Sequence, residues 1–428
     1  MDTRKEVSMN RYFKKFYSHF MHDSLRRNST YLMLSMGISA LLGFVFWSIA
    51  AHRYSPSDIG VVTALIGVAS FIIGFSQLGY VSGLVRYMSE FRHKNNLINT
   101  VFSIVGVIAI FFSIFFIAIS KYVFPKADFI SQGAVPILFF ILYVLSSAYG
   151  GILDGLFVAF RSTQFTFIRN ISASTAKILA ILVLGGGLIG LFYSITVATL
   201  FGSLIGLYFL WKEFKYVPSR NLSKEVRIMS RFSLVNYLSS SIATLVIALI
   251  PILIIWKIGA SDAAFYYIAY SVVAVLNFIP NSISQSFFSE SSNDEGSLKV
   301  NLNKSTKLIS SLLIPSAIIL IVFGKYILLI FGKEYSVAAL TCLRLLTLTS
   351  VLSTINYLGD NILNIQKRLK TYTYVNIFCA LSTIIFMYPL LRYGLTGVGL
   401  GWLLSEAATA IIYLYIFRSS IFTKRTFS

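Results

Sequence analysis

Acidic side chains are scarce in this sequence: 16 Asp and Glu stand against 36 Lys and Arg, and charged residues of both signs make up only 12% of the 428 positions. Soluble domains carry about 25% charged residues, so an ordinary water-solvated surface is excluded. Cysteine is scarcer still. Cys342 and Cys379 both lie in apolar runs, which excludes a disulfide framework and a thiolate metal site. The histidines, His19, His22, His52 and His93, are scattered near the ends of those runs, and no His, Cys and carboxylate set has metal-ligand spacing. No Gly-rich stretch ends in Gly-Lys-Ser/Thr, so ATP hydrolysis is not built in. Nothing in the sequence calls for a cofactor.

What is present is apolar. Hydrophobic residues are 56% of the chain and the mean hydropathy is +0.77. The net charge of +20 does not indicate a nucleic-acid binder, because the basic residues fall between apolar runs instead of forming a patch on a water-soluble face.

A membrane-spanning helix needs about 20 mostly apolar residues at about 1.5 Å each. The stretches that qualify run from Tyr31 to Ala51, Ile59 to Tyr80, Leu97 to Ser120, Ala134 to Phe160, Phe167 to Leu184 and Leu188 to Leu210. A second set runs from Phe232 to Trp256, Ala263 to Ser284, Leu308 to Ile330, Val337 to Leu358, Tyr374 to Leu391 and Leu395 to Phe417. The expected fold is therefore an all-α polytopic membrane protein of about 12 helices. The first run is longer than the roughly 7 to 15 residues of a signal-peptide core and reads as a retained helix.

Basic residues fall on alternate loops and the adjoining span ends: 27 of the 36 on one side, Arg169 among them, 7 on the other, and Lys177 and Arg344 deeper inside spans. Cytoplasmic loops keep the positive charge, so both termini are expected in the cytoplasm, at the inner membrane. In the tail, Phe13, Phe16, Tyr17 and Phe20 share one helical face, which reads either as a helix lying on an anionic leaflet or as a floppy basic tail. The chain divides into a basic tail (1–30), a first lobe (31–211), a linker (212–231), a second lobe (232–418) and a short tail (419–428).

The chain also repeats itself at a spacing of roughly 205 residues. The run from Phe124 matches the run from Phe331, and Asp154, Arg161 and Asn170 correspond to Asp360, Lys367 and Asn376. Ser57 and Asp58 correspond to Ser261 and Asp262, and Gln77 to Asn281. An even helix number per repeat gives the two halves the same orientation. That arrangement predicts two six-helix lobes around a central cavity.

Ionisable residues at bilayer depth cost about 2.5 to 3.5 kcal/mol on insertion scales, so each needs a reason. Lys177 shares a helical face with Asn170 and Ser174; it reads either as a cationic cavity contact or as a Lys that snorkels or pairs with Asp154. Arg344 reads either as a phosphate fork or as an interfacial anchor. Arg53 and Arg86 would add positive field at the mouths. Asp154 and Asp360 read as a structural pair closing a cytoplasmic gate or as carboxylates for a coupling ion. Asn356, Asp360 and Asn364 make a polar face. Glu406, central in the last span with Thr409 and Tyr413 beside it, reads as a proton site or as a hydrogen-bonded structural acid. Gln77, Asn236 and Asn281 are candidate cavity lining. Pro251 and Pro280 each remove a helical hydrogen bond and are candidate hinges.

The run YSPSDIGVVTALIGVASFIIGFSQLGYVSGLVRYMSE, the turn from Phe331 to Tyr335 and the run TGVGLGWLLSE resemble Wzx-type oligosaccharide flippases of the multidrug/oligosaccharidyl-lipid/polysaccharide (MOP) exporter superfamily. The resemblance implies a V of two lobes whose cavity accepts a diphosphate. It implies transport of an undecaprenyl-diphosphate-linked oligosaccharide to the outer leaflet for O-antigen or capsule synthesis. Its partners would be membrane lipids, a polysaccharide polymerase and chain-length proteins, with no nucleic acid. The rival readings are a drug or metabolite antiporter of the same superfamily, a major-facilitator carrier, and a membrane polymerase or glycosyltransferase. The loop after the second span lacks the Gly-rich Asp-Arg signature of the carrier, and short outer loops disfavour the enzyme.

Overall fold

A backbone in hydrocarbon must satisfy its own hydrogen bonds, and an uninterrupted helix does so within one segment. The structure is a computed structural model that describes residues 24–88, 90–91, 93–218, 223, 226–293 and 295–422. Among them twelve helices reach 20 residues or more, and there is no strand. They are α1 (Ser24–Arg53), α2 (Pro56–Gln77), α3 (Lys94–Val123), α4 (Ala134–Ala159), α5 (Gln164–Val183) and α6 (Gly187–Phe214). The second six are α7 (Val226–Lys257), α8 (Ala260–Asn293), α9 (Leu298–Leu329), α10 (Leu340–Ile365), α11 (Leu369–Leu390) and α12 (Leu395–Phe422). Ten are long and apolar enough to cross a membrane, and α7 carries a shorter apolar stretch, Val246–Lys257. The chain is an all-α, multi-pass membrane protein.

Several helices outrun their apolar cores. α1 begins at Ser24, inside the segment expected as tail; α7 begins at Val226, inside the expected linker; and α9 begins at Leu298, a full ten residues before its apolar run. End turns that leave the hydrocarbon carry polar residues, so hydropathy does not register them. The aromatic tail face at Phe13 to Phe20 lies outside the described residues.

The repeat is visible in the backbone. α4 and α10 are both 26 residues long and start 206 apart, at Ala134 and Leu340. Both end in the same left-handed stop, at Arg161 (φ 54°) and Lys367 (φ 56°). After α4, the Ser162 N–H donates to the Phe157 carbonyl at 2.8 Å; after α10, the Arg368 N–H donates to the Leu363 carbonyl, also at 2.8 Å. This six-to-one bond closes a helix C-terminus whose last carbonyls would otherwise be orphaned.

One local difference separates the repeats. α2 stops at Gln77, where Leu78 (φ 45°) and Gly79 (φ 73°) turn left-handed before a short helix, Tyr80–Tyr87. A Cβ at Gly79 would overlap the Ser233 carbonyl, so both backbone conformation and close approach demand glycine. The corresponding α8 runs unbroken for 34 residues and carries Pro280 inside it. Pro251 likewise sits inside a continuous α7, as do Pro315 in α9 and Pro389 in α11, two prolines the sequence reading did not single out.

The described residues group into two compact units. The first lies within Met1–Phe46 and Ile72–Leu238, the second within Trp47–Phe71 and Ser239–Ser428. This differs from a division at the 212–231 loop, because residues 47–71 group with the second unit. Ser48 Oγ donates to the Ile330 carbonyl at 2.9 Å, and the Trp47 and Tyr267 rings meet at 4.9 Å. In the first unit α3 packs on α4, α4 on α6 and α5 on α6; in the second, α9 packs on α10, α10 on α12 and α11 on α12. The same neighbours recur at each repeat. The first unit's core centres on Val101, Val105, Ala148, Ile152 and Leu156, all buried.

Candidate functional site

Each unit holds a polar cavity, and the two are built around the repeat-related aspartates. In the first unit a cavity of about 500 Å³ lies between α1, α4, α5 and α6. Asp154 projects from α4 and Arg169 from α5. The Arg169 guanidinium binds the carboxylate through two nitrogens, Nε to Oδ1 at 3.0 Å and Nη2 to Oδ2, and Nη2 also donates to Asn170 Oδ1 at 2.7 Å. Asn170 Nδ2 continues the chain to Ser35 Oγ on α1 at 3.0 Å. The Arg169 side chain is only 11% exposed and that of Asp154 31%, so the pair is largely out of water.

Glycine makes room for the guanidinium. A Cβ at Gly150 would lie 2.7 Å from Arg169 Nη1, and one at Gly206 would lie 2.9 Å from Arg169 Cδ. The serines of the lining come from four helices: Ser35 and Ser39 from α1, Ser146 and Ser147 from α4, Ser174 from α5 and Ser203, with Thr199, from α6.

The second unit's cavity, about 240 Å³, lies between α7, α8, α10, α11 and α12. Asp360 on α10 accepts from Asn376 Nδ2 at 2.8 Å and from the Tyr413 hydroxyl. One turn earlier, Asn356 Nδ2 donates to the Glu406 carboxylate on α12. Tyr270, Tyr357, Trp402 and Tyr413 supply aromatic walls, and no basic residue lines the cavity among the described residues. Asn277 Oδ1 and Asn356 Oδ1 are buried there without a hydrogen-bond partner among the described residues. Two carboxylates and two idle carbonyl oxygens therefore face one small space.

The aspartates thus occupy the same place in each repeat with opposite surroundings. Arg169 faces Asp154 where the repeat has Val375, and Asp360 makes up the loss with neutral donors. Arg169 stands with the loop cations in the charge count, although it lies two residues inside the apolar run from Phe167; the helix α5 starts three residues before that run, at Gln164, and Arg169 lines the cavity. The departure from the repeat, a cation where the mate is apolar, was the available signal. Lys177 does not pair with Asp154: its Nζ lies 4.6 Å from the centre of the Phe46 ring, a cation–π contact within the first unit.

Of the other candidates, Asn170 and Ser174 line the first cavity and Lys177 is not among its lining residues. Gln77 donates to the Ala148 carbonyl at 3.0 Å, and Asn281 is exposed and accepts from Gln285 Nε2 at 2.9 Å. Arg344 is exposed on α10, with Nε donating to the Ile321 carbonyl of α9 at 3.1 Å. Arg53 and Arg86 are exposed at helix ends. Neither cavity includes these five residues. The side chain of Asn236 lies outside the described residues.

The model of the polysaccharide biosynthesis protein family matches residues 25–290. The chain belongs to that family. The MatE family model matches residues 237–389. The lipopolysaccharide biosynthesis protein WzxC of Escherichia coli K12 is 25% identical over 193 residues, which is 43% of this chain and 37% of WzxC. The uncharacterized membrane protein MJ1375 of Methanocaldococcus jannaschii is 22% identical over 415 residues, covering 92% of this chain and 97% of that one. Among solved structures, an inward-facing multidrug resistance MATE family transporter of the MOP superfamily superposes with a TM-score of 0.73 at 16% identity, over 92% of this chain and 98% of that chain. The lipid II flippase MurJ in an inward closed conformation gives 0.69 at 16% identity, over 90% and 87%. The fold is that of these transporters. The chain is a multi-pass membrane protein of the polysaccharide biosynthesis protein family with that fold.

Proposed function

We propose that this protein is a flippase that carries a lipid-linked oligosaccharide from the cytoplasmic to the outer leaflet of the inner membrane, with both termini in the cytoplasm. The polyprenyl tail can stay in lipid, and only the sugar-bearing diphosphate head needs a hydrophilic route. The two repeats, 31–211 and 232–418, would be the halves of an alternating-access machine, delivering substrate to a polymerase and chain-length proteins for O-antigen or capsule. The observation that supports the reading is the polar interior of the first unit. Ten of the fourteen residues lining its cavity are polar, so the helices there are built around hydrogen bonding that a lipid-facing bundle has no use for.

Asp360 and Glu406 are the proposed ion-coupling residues. An isolated buried charge costs several kcal/mol, and two carboxylates without a cation in one cavity need a proton or a metal cation to be stable. Lys177, held over Phe46, together with Arg344, Arg53 and Arg86, is proposed to attract the diphosphate. Lys177→Ala should slow transport, while Lys177→Arg, which keeps the charge and the ring contact, should slow it less. Equal rates for Lys177→Ala and the unaltered protein would remove Lys177 from the substrate path.

The second unit favours another reading, a drug or metabolite antiporter, since carboxylates beside Tyr270 and Trp402 would also suit an organic cation. Reconstitution decides between them. The flippase moves a fluorescent polyprenyl-diphosphate oligosaccharide between leaflets of proteoliposomes and leaves ethidium gradients alone; the antiporter does the reverse. Release of free polymer or transferred sugar in the same vesicles would point to an enzyme.

A further inference from the structure

We infer that the cavity of the first unit is a saccharide subsite, which seats one uncharged sugar ring of the transported glycan; this rests on the flippase reading above. The cavity's charge is spent internally. Arg169 binds Asp154 through two nitrogens and Asn170 through one of the same nitrogens. A diphosphate would have to take the guanidinium from its carboxylate and leave Asp154 bare in a site that has already lost most of its water. A neutral polyol faces no such cost. Each sugar hydroxyl both donates and accepts, and so does each serine hydroxyl. Arg169 Nη1 makes no bond to Asp154.

Two further observations point to a ligand. Ser39 Oγ, in the lining, is buried with no hydrogen-bond partner among the described residues, and such a group is costly to leave unmade. The repeat also diverges at this cavity. At the offset of 206 that relates Asp154 to Asp360, Gly150 and Gly151 stand where the second unit has Asn356 and Tyr357. Gly150 leaves room for the Arg169 guanidinium and Gly151 for the Gln77 amide, beside a cavity of about 500 Å³, against about 240 Å³ in the second unit. The larger value falls in the range of roughly 300–1,000 Å³ typical of small-molecule sites. No aromatic ring lines this cavity, so recognition would come from hydrogen bonds and would depend on the stereochemistry of the hydroxyls.

The test uses the full chain in proteoliposomes. Flipping is compared for a polyprenyl diphosphate bearing a disaccharide and for the same lipid without sugar, in the unaltered protein and in Ser39→Ala/Ser174→Ala. The expected result is a fall of roughly tenfold in the ratio of sugar-bearing to sugar-free flipping, the size two neutral hydrogen bonds would give. An unchanged ratio overturns the subsite. A second measurement does not depend on transport. With Cys342→Ala and Cys379→Ser in the background, S174C is alkylated by a maleimide in the presence of maltose, chitobiose or inorganic diphosphate. Protection by a saccharide and not by diphosphate supports the subsite; protection by diphosphate alone, or by nothing, overturns it. If the unaltered protein flips neither lipid, the flippase reading fails by itself, and the alkylation result still decides whether the cavity takes sugar.

Discussion

Asp154→Ala alone should be the most damaging single change in the first unit, and adding Arg169→Ala to it should recover much of the loss. Removing one partner of a buried ion pair costs about 3–5 kcal/mol, because the other charge is left without compensation. The lower end applies here, since the Asp154 side chain keeps 31% of its exposure. The two single variants are not equivalent. A carboxyl left alone can take up a proton, whereas a guanidinium stays charged at any accessible pH. Asp154→Ala therefore strands a permanent cation among serines, and Arg169→Ala strands a group that can neutralise itself. Thermal unfolding of the three variants in detergent should rank Asp154→Ala least stable, Arg169→Ala next and the double variant closer to the unaltered protein. A double variant less stable than both singles would mean that the two side chains act separately, and the pair would lose its structural role.

The second large effect belongs to the other unit and should appear in transport, not in folding. Asp360→Asn and Glu406→Gln preserve an acceptor oxygen for Asn376, Tyr413 and Asn356, so each hydrogen-bond network survives while the charge disappears. The folded yield should stay near that of the unaltered protein. If these carboxylates hold the coupling cation or proton, imposed gradients should no longer drive export, with a loss of roughly tenfold or more in rate, equivalent to about 1.4 kcal/mol. Separate proton and sodium gradients across the same proteoliposomes would identify the ion. Export by Asp360→Asn at full gradient-driven rate would sink the coupling role.

These two expectations differ because the repeat was kept in backbone and lost in chemistry. Much of the backbone was legible in advance. A span must present about 20 apolar residues to a hydrocarbon core of fixed thickness, so helix number and the correspondence of Asp154 with Asp360 could be read directly. Helix ends could not: Ser24, Val226 and Leu298 open helices in polar turns that carry no such constraint. Arg169 counts with the loop cations for a related reason, since a cation two residues inside the end of an apolar run looks interfacial until the helix start is known. The serines of the first cavity were invisible for another reason. Ser35, Ser39, Ser146 and Ser147 are small enough to sit in any membrane helix, and only the packing of α1, α4, α5 and α6 collects them in one place. Lys177 and Arg344 stood out as charges, yet a side chain of that length can point several ways, and sequence position alone did not give the Phe46 and Ile321 contacts.

The left-handed stops after α4 and α10 place a basic residue where glycine would sit with less strain. A non-glycine residue in that conformation costs roughly 1–2 kcal/mol, and both Arg161 and Lys367 are exposed, so neither is kept there for packing. What a glycine could not supply is the charge. The insertion machinery reads positive loops to decide which end of a helix remains behind. In the orientation proposed above, with both termini in the cytoplasm, each turn would serve as a signpost as well as a bend, and relaxing the bend to glycine would erase the signpost.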